Sequence, residues 1–334
     1  MRKIRIAING FGRIGRPSLR IILDSHPNLE IVAINDLTEP RVLAHLLKYD
    51  TLYGRYGKRV GHDKKNLIVE GKKIRVYAEK EPNKLPWKEL GIDIVLECTG
   101  QFTDKKGSSL HLEAGARRVI ISAPVKGDEI PTYILGVNEE KLSSNEKIIS
   151  NGSCTTNCLA PIAKILEDEF GIEVGMMSTI HSYTNDQRIL DLAHKDLYRS
   201  RAAALNIIPT TTGATESVVA AIPSLKGKLY GLAIRVPTPV VSLIDFTAKL
   251  KRKTNKEEVN NIFWKFSQDK FKNILAVTEE SLVSSDFIGD SRSAIIASNL
   301  TQADGDLVKV LAWYDNEWAY ACRYVEMAEY LGRF

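Results

Sequence analysis

The chain has 334 residues, 44% of them hydrophobic and 26% charged, with a formal net charge of +5. That length suits two domains at about 100–200 residues each, and the balance is that of an ordinary globular protein. Apolar runs such as VVAAI and AIIA fall well short of the ~20 residues of a membrane span, and four cysteines are too few for a disulfide framework. A modest, dispersed positive charge suits small anionic substrates without demanding nucleic acid. The opening MRKIRIAINGFG has too short an apolar core for a signal peptide and runs into a glycine turn. The expectation is a soluble, cytoplasmic, two-domain protein with no membrane or nucleic-acid partner.

The first part of the chain alternates β-branched runs with amphipathic stretches, as in parallel strands joined by helices. KIRIAIN (Lys3 to Asn9) reads as a buried strand, RPSLRIILDS as a helix and LEIVAIND (Leu29 to Asp36) as the second strand. DIVLECTG (Asp93 to Gly100) and RRVIISAP (Arg118 to Pro124) read as further strands flanking a helix in DKKGSSLHLEAGA. Beyond KIISNGSCTTNC the texture changes. EVGMMSTIHSYT and YGLAIRVPTPVVSLIDFTAKLK alternate residue types at a period near two, with KEEVNNIFWKFSQD as a helix after them. This predicts a mixed or antiparallel sheet backed by helices. The fold class expected is therefore α/β: a doubly wound parallel sheet of Rossmann type over residues 1–150, then an α+β catalytic domain over 151–314. The chain closes with a strand, a turn and a helix, and the helix (315–334) would pack back on the first domain.

Gly10, Gly12 and Gly15 form G-x-G-x-x-G directly after a predicted strand and at the opening of a predicted helix. The motif needs that setting, because small residues let the backbone approach a pyrophosphate seated at the positive end of a helix. Asp36 stands 21 positions beyond Gly15, at the end of the second strand. A carboxylate there accepts hydrogen bonds from both ribose hydroxyls of NAD and repels the extra phosphate of NADP.

SNGSCTTNCLAPIAKILEDEF places Cys154 at the mouth of a predicted helix of ~15 residues, with Ser153 as its N-cap. A thiol there feels the positive end of the helix dipole, which favours the reactive thiolate. Taken alone, Cys154 reads more readily as a small buried residue than as a nucleophile. Cys158 lies one turn deeper and reads as packing, as do Cys98 and Cys322, and no second Cys/His pair has zinc-ligand spacing. Pro161 should kink this helix or end a shorter first segment. Of six histidines, His181 sits near a strand end among hydroxyl residues and could take the thiol proton. The other five, His26, His45, His62, His111 and His194, read as surface or packing residues.

INGFGRIGR, SCTTNCLAP, HSYTNDQ, IIPTTTGA, RVPTP and WYDNEW occur in one chain in that order. Over essentially its full length the sequence resembles the phosphorylating glyceraldehyde-3-phosphate dehydrogenases. The resemblance implies that Cys154 attacks an aldehyde, that His181 accepts a proton as hydride leaves for NAD, and that inorganic phosphate cleaves the resulting thioester. It implies a substrate-phosphate site at Thr184 and Arg235, an attacking-phosphate site at Ser153, Thr155, Thr212 and Gly213, and Arg199 serving one or both. Without the resemblance, TTTG reads as a polar turn and Arg235 as a surface charge on a strand. For the cofactor it implies Arg13, Ile14, Lys80, Thr99, Phe102, Ser122, Asn316 and Tyr320, beside Gly10, Gly12, Gly15 and Asp36. The segment from Tyr183 to Pro209 resembles a long loop that reaches a neighbouring subunit's cofactor, which implies a homotetramer.

The chain departs from the family pattern in places. Gly152 stands where alanine is usual, Tyr198 where one of two adjacent arginines is common, Ala319 for a glycine and Cys98 for a frequent serine. Asp36 and Leu37 favour NAD, while Ala193, DQRILD and RAAALNI resemble an NADP-accepting branch, leaving NADP as a secondary cofactor. Two other readings compete: erythrose-4-phosphate dehydrogenase, which hydrolyses its thioester, and a non-catalytic scaffold binding RNA through KLKRKTNK and RYGKRV. The first tends to lose the HSYT and TTTG features kept here; the second lacks aromatics interleaved with its charges.

Overall fold

Ile4 to Asn9 forms a strand whose last four residues are buried on both faces, as a central parallel strand requires. The computed structural model describes residues 2–125, 127 and 129–334. They divide into two compact units, one made of the chain up to Tyr133 with Glu140–Gly152 and Ala321–Phe334, the other of Ile134–Glu139 and Ser153–Tyr320. The sequence suggests a boundary near Ser150 and a return from residue 315; the structure divides the chain at Gly152/Ser153 and at Tyr320/Ala321.

The first unit runs β1 (Ile4–Asn9), α1 (Gly15–Ser25), β2 (Leu29–Asn35), α2 (Pro40–Lys48), a small hairpin of β3 (Tyr49–Asp50) and β4 (Gly54–Arg55), then β5 (Val60–His62), β6 (Asn66–Val69) and β7 (Lys72–Tyr77). It continues with β8 (Ile94–Glu97), α3 (Lys105–Glu113), β9 (Arg118–Ile121) and β10 (Ile148–Ser150). Eight strands lie in the order β10-β9-β8-β1-β2-β7-β6-β5. They are parallel from β10 to β7, and the last two join antiparallel. From β1 the chain winds outward through β2 in one direction and through β8 in the other. The strand order therefore reverses between β1 and β8, where open α/β sheets form their ligand crevice. Ala7, Ala33, Val95, Val119, Ile121 and the fully buried Trp87 fill one face. The C-terminal segment docks on this unit: the Tyr324 hydroxyl donates to the carbonyls of Ile120 (2.6 Å) and Glu97 (3.2 Å).

The second unit contains α4 (Cys154–Phe170), β11 (Ile172–Ser182), β12 (Ile208–Thr210), α5 (Ala214–Ala221), β13 (Leu229–Val236), β14 (Ser242–Leu250) and α6 (Lys256–Gln268). Then come β15 (Leu275–Thr278), β16 (Ala294–Ala297), β17 (Gln302–Asp304) and β18 (Leu307–Tyr314), after which α7 (Trp318–Leu331) leads into the C-terminal segment. The sheet order is β12-β13-β11-β14-β18-β16-β15, with β17 paired to β18. It is mixed: β11/β13 and β15/β16 are parallel and the other pairs antiparallel.

Helix α4 runs from Cys154 to Phe170 without a break, Pro161 included, so the shorter first segment expected from that proline is not found. Pro161 removes one N–H from the helix ladder. Burial of Leu159, Ala160, Ile162 and Ala163 around it, each 0% exposed, outweighs that loss.

Candidate active site

Cys154 is the first residue of α4, and its backbone is fixed by a reciprocal cap. Ser153 Oγ accepts from the Thr156 N–H at 3.0 Å, and Thr156 Oγ1 accepts from the Ser153 N–H at 3.1 Å. The N–H groups of Thr155 and of Cys154 itself face the sulfur. Strand β11 carries His181 next to its end, and its Nε2 lies 3.4 Å from Cys154 Sγ. In the parallel β11/β13 pair, His181 stands opposite Arg235. Sheet register thus brings the base and an arginine together.

The hydrogen bonds assign the His181 tautomer. Nδ1 is 2.7 Å from the Ser182 carbonyl, which can only accept, and 2.9 Å from Arg235 Nη1, which can only donate; the shorter contact favours the proton on Nδ1, which leaves the Nε2 lone pair facing the thiol. Arg235 Nη1 then donates to the Ser182 carbonyl at 3.1 Å and to Thr184 Oγ1 at 3.3 Å. Burial, against the pull of Arg235, pushes the Cys154 thiol above its ordinary value. Burial, helped by the positive charge of Arg235, lowers His181 to about 3. At the helix mouth, burial weighs more on the thiol than the backbone N–H groups of Thr155 and Cys154, which favour the thiolate. Each group alone is held neutral. Moving the proton from Sγ to Nε2 creates both charges together, 3.4 Å apart, where their attraction is about 5 kcal/mol at an effective dielectric of about 20.

Around this pair the donors converge. Asp186 bonds both the Thr184 hydroxyl and the Arg199 guanidinium. Burial opposes its charge, yet those partners hold its carboxyl below the usual range. Arg199 Nε donates to Thr210 Oγ1 at 3.0 Å. Arg235 Nε is buried without a hydrogen-bond partner, and both burial and the nearby Arg199 lower the pKa of its guanidinium. Two cations with an unused buried donor make a site that fits an anion. Thr212 and Gly213 lie at the mouth of α5, Gly213 as its N-cap and the Thr212 hydroxyl accepting from the Ala214 N–H at 3.2 Å. Thr155 turns inward: its hydroxyl and that of Thr179 meet the buried Tyr314 hydroxyl at 2.9 and 2.8 Å. Asn316 is buried, its Oδ1 accepting from Ser242 Oγ at 3.0 Å, and Tyr320 is buried four residues on.

Of the residues expected to hold the dinucleotide, Gly10, Gly12, Arg13, Ile14, Gly15, Asp36, Lys80, Thr99, Phe102 and Ser122 lie on the first unit, and Asn316 and Tyr320 on the second. Gly10 has φ +90°, and a Cβ there would sit 2.9 Å from Thr99 and Cys98. At Gly15 a Cβ would meet the Gly10 carbonyl at 2.2 Å. Gly12 differs, because a Cβ would meet nothing within 4 Å. The chain's own packing does not require a glycine at 12, and the bare backbone there leaves the room that a closely approaching pyrophosphate would need, so the residues present fit that group. Asp36 accepts from the N–H groups of Phe11 (2.8 Å) and Thr38 (2.9 Å), one on each oxygen. Arg13 pairs with the buried Asp50 at 2.5 Å and lies over the Tyr53 ring. Ile14 is the N-cap of α1, Lys80 is exposed just beyond β7, Phe102 packs edge-on to His111, and the Ser122 N–H donates to the Glu97 carbonyl at 3.0 Å. Among the described residues no group of three or more His, Cys, Asp or Glu side chains could hold a metal ion.

Comparison with known proteins agrees with this geometry. The model for the NAD-binding domain of glyceraldehyde 3-phosphate dehydrogenase matches residues 4–105, and the model for the C-terminal domain of the same enzyme matches 153–316. The glyceraldehyde-3-phosphate dehydrogenase of Geobacillus stearothermophilus is 53% identical over 330 residues, covering 98% of both chains. That of Streptomyces coelicolor is 51% identical over 332 residues, again 98% of each. The chain belongs to the glyceraldehyde-3-phosphate dehydrogenase family. It is also 53% identical over 330 residues to the chloroplastic glyceraldehyde-3-phosphate dehydrogenase GAPA1 of Arabidopsis thaliana, covering 98% of this chain and 83% of that one. NAD is the cofactor of this oxidoreductase, held by its Rossmann-type domain.

Sequence reasoning passed over several residues of the site. Asp186 stands in the HSYTNDQ motif two residues after Thr184, and that spacing was the available signal for its bond to the threonine hydroxyl. Tyr314 and Thr179 sit in predicted strands and read as core. Only the folded chain joins their hydroxyls to Thr155 behind the cysteine.

Proposed function

We propose that Cys154 is the nucleophile and His181 the base in the NAD-dependent oxidative phosphorylation of D-glyceraldehyde 3-phosphate to 1,3-bisphosphoglycerate, a reaction of glycolysis and gluconeogenesis. The observation that carries this reading is the 3.4 Å approach of Sγ to the unprotonated Nε2, beside an arginine with an unused buried donor. His181 takes the thiol proton as Sγ adds to the aldehyde carbon, and the Ser182 carbonyl steadies the imidazolium through Nδ1. The Cys154 backbone N–H at the helix mouth is the donor for the oxygen that gains charge. NAD, when bound, accepts the hydride. Nε2 passes the thiol proton to that oxygen, which gives the hemithioacetal hydroxyl, and takes it back as hydride leaves and the carbon becomes a thioester on Sγ. Thr184 and Arg235, with Arg199, take the substrate phosphate, and Ser153, Thr155, Thr212 and Gly213 position the inorganic phosphate that releases the acyl group. On the first unit, Gly10, Gly12, Arg13, Ile14 and Gly15 bind the pyrophosphate side of the cofactor, Asp36 the ribose, and Lys80, Thr99, Phe102 and Ser122 its flanks. Asn316 and Tyr320 serve the nicotinamide end.

The partners are thus the aldehyde and inorganic phosphate, within a homotetramer. Exposed apolar side chains crowd the segment from Tyr183 to Pro209, including Ile189 (87%), Leu197 (81%) and Leu205 (77%), which supports burial against another subunit. No helix among the described residues is long and apolar enough to cross a membrane, and all four cysteines are free, which supports a reducing, cytoplasmic setting. Mixing enzyme, NAD and aldehyde without phosphate tests the assignment. One NADH per site should form with an acyl adduct on Cys154; an adduct on Cys158, or none, overturns it.

A further inference from the structure

Beneath the crevice between β1 and β8 lies a buried polar network centred on Glu97, a residue that none of the roles above uses. Glu97, the last residue of β8, is 1% exposed, yet its carboxylate is fully engaged. Oε1 accepts from the Thr99 N–H (2.8 Å) and the Thr99 hydroxyl (2.5 Å), and Oε2 from Asn9 Nδ2 (2.5 Å) and His111 Nε2 (3.0 Å). The His111 proton is placed without ambiguity. The Trp87 indole N–H, which can only donate, meets Nδ1 at 3.0 Å, so Nε2 carries the hydrogen that points to Glu97. All four donors to this carboxylate are neutral. An unpaired carboxylate taken out of water is costly to keep.

Its position gives the reason. Glu97 sits at the reversal of strand order, and its partners belong to each element that edges the crevice. Asn9 ends β1 and precedes Gly10. Asn9 Oδ1 accepts from Asn35 Nδ2 at 2.7 Å, at the end of β2 just before Asp36. Asn35 in turn holds both the N–H and the carbonyl of Glu79, next to Lys80, at 2.9 Å each. Thr99 lies against Gly10 with no space for even a Cβ between them.

We propose that Glu97 is a positioning residue for the dinucleotide. By holding Asn9 and Thr99 at once it fixes the Gly10 turn and the Thr99 backbone on which the cofactor rests, and so sets NAD affinity without touching it. This rests on the assignment of the crevice as the cofactor site. In Glu97→Gln the volume is kept, but an amide NH2 replaces one acceptor oxygen and faces two donors, leaving buried groups unsatisfied.

Steady-state kinetics on the whole enzyme tests this, with Asp36→Ala as the reference for the crevice. Glu97→Gln should raise KM for NAD about tenfold or more, with kcat at saturating NAD within about twofold of the parent and KM for aldehyde and phosphate unchanged. A merely structural role would lower the active fraction and kcat and leave KM for NAD alone; that result overturns the proposal. If Asp36→Ala weakens NAD binding while Glu97→Gln does not, the proposal fails and the crevice assignment stands. If neither weakens it, the crevice assignment itself is wrong. Should Glu97→Gln not fold, His111→Phe removes one donor to Oε2, keeps a ring of similar shape and leaves every assigned cofactor contact in place. A rise of a few-fold in KM for NAD then supports the proposal, and an unchanged value overturns it.

Discussion

Replacing His181 by asparagine isolates what the imidazole does for the thiol. In the parent, the proton of Cys154 passes 3.4 Å to Nε2, and the two new charges attract by about 5 kcal/mol at an effective dielectric of about 20. Burial opposes each charge alone, raising Cys154 and lowering His181 to about 3, so the pair titrates as a unit. Asparagine cannot take the proton. The cysteine then faces the burial penalty alone, and a group whose pKa rises forms its reactive anion only at higher pH. The rate of Cys154 alkylation by iodoacetamide, followed against pH, should therefore inflect at least ~1 unit higher in His181→Asn than in the parent, since each unit is about 1.4 kcal/mol and the attraction exceeds that several-fold. Single-turnover NADH formation should fall by roughly 10²–10⁴, the usual contribution of a positioned base. Superimposable alkylation profiles would refute the reasoning, because they would mean that the thiol does not depend on its neighbour.

Other outcomes follow from the same geometry. Asp186→Ala frees Thr184 and Arg199 from their shared carboxylate, and KM for the aldehyde phosphate should rise about tenfold with a smaller change in kcat, as initial rates will show. Gly12→Ala should leave the thermal midpoint within about 1 °C of the parent while weakening NAD binding, whereas Gly15→Ala, with a Cβ 2.2 Å from the Gly10 carbonyl, should lower both; calorimetry and titration separate the two. Ile162→Ala, in the middle of α4 at 0% exposure, should cost about 2–5 kcal/mol in denaturant unfolding.

The parts of the fold legible in the sequence are those where one strong local rule acts. The β1–glycine–α1 unit is written in six apolar or polar choices and three small residues, and the structure realises it from Ile4 to Ser25. Ser153 as the cap of α4 follows from a hydroxyl before a helical run, and its partner Thr156 completes the box. The hairpin and the short strands between Tyr49 and Tyr77 are different. They are two to six residues long, in a stretch rich in lysine and glycine, so no period rises above the background there. Pro161 misled in the other direction, because tertiary burial along α4 overrode a local preference. At the site, Cys154 and His181 announce their chemistry by type and neighbours. Their reactivity does not show in the sequence, since desolvation depends on what the folded chain places around them. The Glu97 network is hidden for the same reason: His111 reads as surface or packing until α3 brings it to the carboxylate at the end of β8 and to the Trp87 indole, 24 residues away in sequence.

The central claim is a thioester on Cys154 that phosphate, and not water, resolves. NADH production should be measured with glyceraldehyde 3-phosphate and NAD, with and without inorganic phosphate, and in parallel with erythrose 4-phosphate. Sustained turnover that requires phosphate and favours the triose is the expected result. Turnover at the same rate in its absence, or a preference for the four-carbon aldehyde, would contradict it.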